Sequence, residues 1–254
     1  MKQTFLLFTI LSLFGCSDND TDDMFIPEIP ETLLKVKTKK NRYITTYFYN
    51  DLGYVDSFAQ ISNYGGNPYN FYLKFIYNQE NIIEILHYKG QAHDESAPII
   101  KDYKEIFEYT NGLISKKHTY DSNGTLLSLQ SYTYEDNNNI IYSSSTAHNI
   151  IFKSTYKNKN LIETLSTRND SLISQSTYTY DNRYHPMYYI FPEVFLKINS
   201  ISKNNIKEKK YLSNSYNQNI VYNLQYNNNH FLTSSSIKSD GQLAGSTPDY
   251  YTYY

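Results

Sequence analysis

The chain has 254 residues and a formal net charge of −2, from 23 Lys+Arg against 25 Asp+Glu. No basic stripe is present to neutralise phosphates, which argues against nucleic-acid binding. The 29 Tyr, 28 Asn and 26 Ser, with no Trp, predict many short strands joined by polar turns, because Tyr favours strands and Asn favours turns.

The N-terminus reads as an address. Residues 1–15 have a Lys2-containing start, an apolar run from Thr4 to Phe14 and Gly15 before Cys16, which is the layout of a signal peptide. The run is too short to span a bilayer of ~30 Å as a helix. Leu13-Phe14-Gly15-Cys16 resembles the bacterial lipobox, with Phe14 bulkier than the usual occupant of its position. That resemblance implies cleavage before Cys16, lipidation of this sole cysteine and attachment to a membrane through the acyl chains.

Residues 16–32 form the next segment. Asp18, Asp20, Asp22 and Asp23 make it acidic, and Pro27 and Pro30 stiffen it. The composition fits a solvated tether. It also resembles the acidic signal that carries Bacteroidota lipoproteins to the outer face of the outer membrane. A calcium loop is discounted, because its glycine and distal glutamate are missing.

Residues 33–254 are expected to form one β domain. An aromatic-x-Tyr unit recurs, followed by Asp, Asn or Glu, a Gly- or Asn-containing turn and an aliphatic residue. His118-Thr119-Tyr120-Asp121-Ser122-Asn123-Gly124-Thr125-Leu126 is the cleanest copy. The anchor tyrosines are 49, 77, 109, 120, 134, 156, 180 and 226. Alternation with period two places both rings of each unit on one sheet face. In one such strand Gln130, Tyr132 and Tyr134 share a face, with Leu129, Ser131 and Thr133 on the other. Tyr134 lies among closely spaced copies and Tyr253 at the terminus, so Tyr134 is expected to matter more to stability.

The repeat resembles the tyrosine/aspartate (YD, RHS-like) repeat, and in particular uncharacterised Bacteroidota lipoproteins that combine it with an acidic tether. Asn182-Arg183-Tyr184-His185-Pro186-Met187, leading to Ser202-Lys203-Asn204-Asn205-Ile206, and the aromatic end Tyr250 to Tyr254 add to the resemblance. The expected fold is all-β: an elongated, twisted antiparallel meander that curls on itself, as an open barrel or, alternatively, a two-sheet sandwich. A short helix or loop insertion is expected near 186–199, since Pro192-Glu193 suits a first helical turn.

Catalytic motifs are not evident. The six histidines show no i,i+4 pair, and no nucleophile elbow or phosphate loop occurs. His93-Asp94-Glu95 reads as a loop tip. The basic runs Lys37-Lys39-Lys40-Arg42 and Lys207-Lys209-Lys210 read as solvated faces. No metal, cofactor or enzymatic activity is expected. Asp170-Ser171-Leu172 resembles the O-glycosylation acceptor of Bacteroidota exported proteins, which makes Ser171 a candidate modification site. The functional expectation is a cell-surface binding module for a glycan or another surface protein. The alternative is a structural or assembly subunit of an outer-membrane complex.

Overall fold

The structure is a computed structural model and describes residues 34–39, 43–64, 67–90, 100–145, 149–239 and 248–253. The expected signal peptide, Cys16, the four tether aspartates, the boundaries at 15 and 32, and His93-Asp94-Glu95 lie outside the described residues.

Sixteen strands run in order: β1 (Leu34–Lys39), β2 (Tyr43–Tyr49), β3 (Val55–Tyr64), β4 (Asn67–Asn78), β5 (Asn81–Lys89), β6 (Ile100–Thr110), β7 (Leu113–Asp121), β8 (Leu126–Glu135), β9 (Ile140–Ser145), β10 (Ile151–Lys157), β11 (Asn160–Arg168), β12 (Ser171–Tyr184), β13 (Asn204–Ser213), β14 (Asn217–Tyr226), β15 (Leu232–Ser239) and β16 (Asp249–Tyr253). A single helix, α1 (Glu193–Ile198), interrupts the β12–β13 connection. The all-β antiparallel meander with one short helix is what the repeat predicts. Pro192 sits at the helix N-cap, just before the first turn rather than in it.

Each strand pairs antiparallel with its neighbours in the chain, and β1 bonds both β2 and β16. Lys37 faces Thr45 on one side and Tyr251 on the other. The ladder therefore returns to its start and leaves no unpaired edge among the described strands. Closure takes the place of the sandwich alternative. The ladder is shortest at β15–β16, where Ser234↔Tyr250 and Ser235↔Asp249 are the only pairs among the described residues.

The turns explain the Asn and Asp content. Asn50, Asp121 and Asn227 each accept two backbone N–H bonds, from the second and fourth residues downstream, at 2.7–3.0 Å. Asn111-Gly112, Asn158-Lys159 and Asn169-Asp170 take positive φ at both positions, as two-residue hairpin turns need for their twist.

The repeat tyrosines act at one end of the barrel. There, hairpins β2–β3, β4–β5 and β6–β7 carry a register shift just after the aliphatic residue. Ladders to the following strand stop at Ser57↔Lys74, Glu84↔Ile106, Lys116↔Ser131, Glu163↔Thr177 and Ser234↔Tyr250. Two residues before each first member lies a deeply buried aliphatic: Val55, Ile82, Ile114, Leu161 or Leu232. Its carbonyl is past the end of the ladder and needs a donor. Three residues after each second member lies a tyrosine that supplies it. Tyr77 O–H donates to Val55 O (2.7 Å), Tyr109 to Ile82 O (2.8 Å), Tyr134 to Ile114 O (2.7 Å), Tyr180 to Leu161 O (2.5 Å) and Tyr253 to Leu232 O (2.8 Å).

Two expectations change here. Tyr120, in the cleanest copy, sits at the opposite end, because its turn joins β7 to β8; it pairs with the outward Lys104, whose ammonium lies over its ring. Tyr253 is not peripheral either, because closure gives the last strand a neighbour on each side.

A ring of sixteen strands is wider than wall side chains alone can fill. The β12–β13 connection fills it at the tyrosine end. Its Phe191 and Phe195 pack against wall Phe75 (ring centroids 5.2 and 6.2 Å), and Phe195 meets Phe107 at 5.9 Å. Ile190 and Leu196 are almost fully buried beside them. Backbone bonds dock this plug: Val55 N–H to Ile190 O, Lys203 N–H to Lys159 O, and Leu161 N–H to the Ser202 hydroxyl. Glu193 pairs with Lys159 at 2.7 Å and with Lys197 at 3.2 Å. Leu34 pairs with Tyr253, so the chain before residue 34 joins the wall at this plugged end.

The outer wall carries ion pairs between adjacent strands: Asp56–Lys74, Glu84–Lys104 and Glu108–Lys116.

Two stability predictions follow from this geometry. Tyr→Phe at 134 or 253 leaves a buried carbonyl without its donor, at about 1–3 kcal/mol. In a chain of this size each kcal/mol shifts Tm by roughly 2–4 °C. Thermal melts should show a clear and similar drop for Tyr134→Phe and Tyr253→Phe, and none for Tyr120→Phe. A drop for Tyr134→Phe alone shows that the terminal strand does not close the ring.

The second concerns His185, at the start of the plug. Its Nδ1 accepts the Met187 N–H (3.1 Å), which a protonated ring nitrogen cannot do. Burial, reinforced by the charge of Lys37, pushes its pKa from 6.5 down to about 4. A depressed histidine contributes stability that is complete above the unfolded pKa and is lost as pH falls through the folded one. Urea midpoints should therefore fall as pH drops from 6.5 to about 4. His185→Gln, whose amide oxygen can accept the same bond without titrating, should flatten that slope. An unchanged slope places the titrating group elsewhere.

Candidate functional site

Inward positions change character along the barrel. Near the plug they are apolar and buried: Val55, Phe75, Ile82, Phe107, Ile114, Ile141 and Leu161. Toward the other end the same faces turn polar: Lys37, Lys117, Lys209 and Glu105 are partly exposed there, while Thr45, Ser166 and Ser176 are buried. The lumen is a cup with an apolar floor and a polar mouth.

Three charge groups line the mouth half. On β5–β7, inward His87, Glu105 and Lys117 meet. Lys117 Nζ is 3.0 Å from Glu105 Oε1, and His87 Nε2 is 3.6 Å from Glu105 Oε2. The His87 ring stacks on Tyr103 with centroids 3.8 Å apart. Burial alone raises the Glu105 carboxyl, but the neighbouring His87 ring and the Lys117 ammonium outweigh it and hold Glu105 below the usual carboxylate range. The group balances its own charges and brings no hydroxyl or thiol nucleophile to the histidine.

On β1, β2 and β16, Lys37 lies 3.6 Å from Asp249, which also accepts the Tyr43 hydroxyl at 2.8 Å. The Lys37 ammonium faces the Tyr43 and Tyr251 rings at 5.9 and 5.6 Å. On β12 and β13, Lys209 pairs in register with Tyr178 and is the third cation. Its ammonium lies 5.6 Å from the Tyr178 ring centre and 6.0 Å from that of Tyr211.

This placement corrects the sequence reading of the two basic runs. Lys207 and Lys210 are exposed, as expected, but Lys37 and Lys209 turn into the lumen. The Lys207-Lys209-Lys210 run splits because the register shifts between Tyr180↔Ile206 and Thr179↔Glu208, which leaves Lys207 unpaired at the bulge and sets Lys209 opposite an inward tyrosine. Period-two alternation was the available signal; the bulge that fixes its phase has no mark in the sequence.

The remaining candidates separate. Ser171 is exposed at the tip of the β11–β12 hairpin, directly after the positive-φ pair Asn169-Asp170. A groove of about 430 Å3 beside it is lined by Leu129, Ser131, Ser144, Ile151 and Asp170. His118 lies outside with Glu108 at 2.8 Å. No group of three or more His, Cys, Asp and Glu able to hold a metal occurs among the described residues.

One further polar cluster lies where the plug leaves the wall. Asp181 Oδ1 accepts the Arg183 and Asn205 N–H groups at 3.1 Å, its Oδ2 accepts the Tyr226 hydroxyl, and the Arg183 guanidinium covers the Tyr226 ring at 4.2 Å. Here Tyr226 finds a carboxylate where other repeat tyrosines find a carbonyl. Burial and the Asp181 bond both raise its pKa.

No family model matches the chain, and no curated protein matches its sequence. Solved structures are similar in fold. A porin-like protein from Bacteroides vulgatus ATCC 8482 superposes with a TM-score of 0.53 at 13% identity, over 88% of this chain and 99% of that one. A porin-like protein from Bacteroides uniformis ATCC 8492 gives 0.50 at 12% identity, over 88% and 96%.

Proposed function

We propose that this protein is a lipid-anchored, non-catalytic surface module of the outer membrane that takes a glycan into the mouth of its barrel. One observation carries the reading: the barrel is filled by apolar side chains at the end where β1 begins, and its inward faces are polar, with partly exposed lysines, toward the other. A tether from Cys16 then presents the mouth away from the membrane. Tyrosine faces suit sugar rings, and the Ser, Thr and Lys between them suit hydroxyls. The outer-wall ion pairs favour a barrel surrounded by water, since a spanning barrel needs an apolar band ~25 Å tall facing lipid. The porin-like Bacteroides neighbours fit an envelope protein of that lineage, without implying conduction through this plugged lumen.

The alternative is an assembly subunit. Its specific support is the outward Ile44, Phe48 and Tyr250, each 44–50% exposed, on strands either side of the β1 seam.

Two measurements decide. Intact mass of membrane-extracted protein should show cleavage before Cys16 and acyl chains, and Cys16→Ala should release the protein from membranes; unchanged attachment removes the anchor. A glycan array probed with the full chain should give binding that is lost when Tyr178 and Tyr211 are replaced by Ala. A stoichiometric protein captured from the native outer membrane, with a blank array, favours the assembly subunit instead.

A further inference from the structure

We infer that the glycan is acidic, and that Lys209 is the residue that selects a carboxylate- or sulfate-bearing sugar inside the lumen. This rests on the reading of the mouth as a glycan site and names the ligand class it takes.

The argument begins with charge balance. Of the inward lysines described, Lys37 faces Asp249 and Lys117 faces Glu105. Lys209 meets no carboxylate and makes no hydrogen bond among the described residues; its contacts are two tyrosine rings. An inward cation is favourable only where water or an opposite charge balances it. The rings supply part of that balance through their quadrupoles. They also fix the side chain, so the ammonium is held in place before a ligand arrives.

Position makes the site reachable. Lys209 is partly exposed and lies midway along β13, five residues from Asn204 at the plug end. At ~3.3 Å per residue it stands about 16 Å of strand above the plug end.

The surroundings select a sugar rather than a bare anion. Short hydroxyl side chains flank Lys209 on the next two strands. Ser176 lies in register with Tyr211, and Ser166 and Ser174 face one another with hydroxyls 2.5 Å apart. Thr164 meets the Tyr178 hydroxyl at 3.3 Å. Two aromatic faces beside one unmatched ammonium complement a pyranose that carries one anionic group, with the buried Ser166 and Ser176 hydroxyls behind them. Lys is suited to such a point charge.

The test is titration calorimetry on the detergent-solubilised full chain. Three probes of equal length are used: a galacturonate oligosaccharide, the same oligosaccharide with its carboxyls reduced to alcohols, and a sulfated neutral oligosaccharide. The galacturonate or the sulfated probe should bind at least tenfold tighter than the reduced one, and whichever does so identifies the anionic group. Lys209→Gln should abolish that preference. Lys209→Arg should retain the preference, and Lys153→Gln, on the outer wall, should not change it. Should Lys209→Gln fold poorly, Lys209→Met keeps the stem on the rings and serves instead. Retention of the preference without the lysine charge overturns the assignment. Equal binding of acidic and reduced probes overturns it as well, but leaves the glycan module standing. Absence of binding to any carbohydrate overturns both.

Discussion

A tyrosine hydroxyl reaching a main-chain carbonyl on the neighbouring strand is the interaction on which the plugged end depends. Most hairpins there bulge directly after the aliphatic residue, and the ladder to the next strand ends before that residue's carbonyl is used. The carbonyl is left in an apolar interior, where an acceptor without a donor costs about as much as a lost hydrogen bond. Neither Phe nor Leu corrects this. Tyrosine does, because its ring joins the core while its hydroxyl reaches the carbonyl. The aliphatic can then point inward, where Val55, Ile82 and Ile114 show no exposed surface at all. Burial of these phenols holds them protonated: the pKa of Tyr109, for one, is pushed from 10.0 up to about 12.

Closure and filling are then one problem. The ring is too wide for wall side chains to meet across it, so the chain inserts a plug made of an apolar stretch, Tyr188 to Ile198. Phe191 and Phe195 reach the wall phenylalanines and complete the floor. Above that floor the inward faces become polar. The outward faces carry ion pairs between strands together with exposed apolar side chains such as Ile44, Phe48 and Ile151. A porin's lumen is instead polar throughout, and its exterior is apolar at mid-height. The fold likeness to porin-like proteins is thus a likeness of strand arrangement, and the side chains determine what each barrel can do.

Much of this was legible from residue types. Strand spacing, turn chemistry and the break near residue 186 follow from Tyr, Asn, Gly and Pro placement. The face shared by Tyr132 and Tyr134 was readable from period two, and the structure places both against the core. Ring closure was not readable, because it depends on register accumulated over sixteen strands rather than on any local signal. Tyr120 misled because Asp121-x-x-Gly124 makes the same turn at either end of a barrel; only the strand count tells the ends apart. Lys209 was hidden by a bulge that shifts alternation by one residue. A one-residue shift reverses which face a side chain occupies, so a basic run on paper became two exposed cations and one enclosed one.

The break in the repeat and the plug belong together physically. The β8–β9 hairpin has no bulge: its ladder runs through Tyr134↔Ile141 to Glu135↔Ile140, and β9–β10 continues through Ser154↔Ile141 to Thr155↔Ile140. Ile141 is therefore inside the ladder, and Tyr156 on the following strand finds no stranded carbonyl beside it. Tyr156 donates instead to Lys197 O, at the C-terminal end of α1, at 2.6 Å. Lys197 in turn approaches Asn138 O, in the bulge-free turn, at 3.4 Å. A helix end also has carbonyls without internal donors. The repeat tyrosine released by a regular hairpin thus satisfies the end of α1, the one helix among the described residues. Loss of the bulge at β8–β9 and insertion of the plug between β12 and β13 solve each other's unpaired groups, which explains why the repeat departs from its pattern where the plug docks.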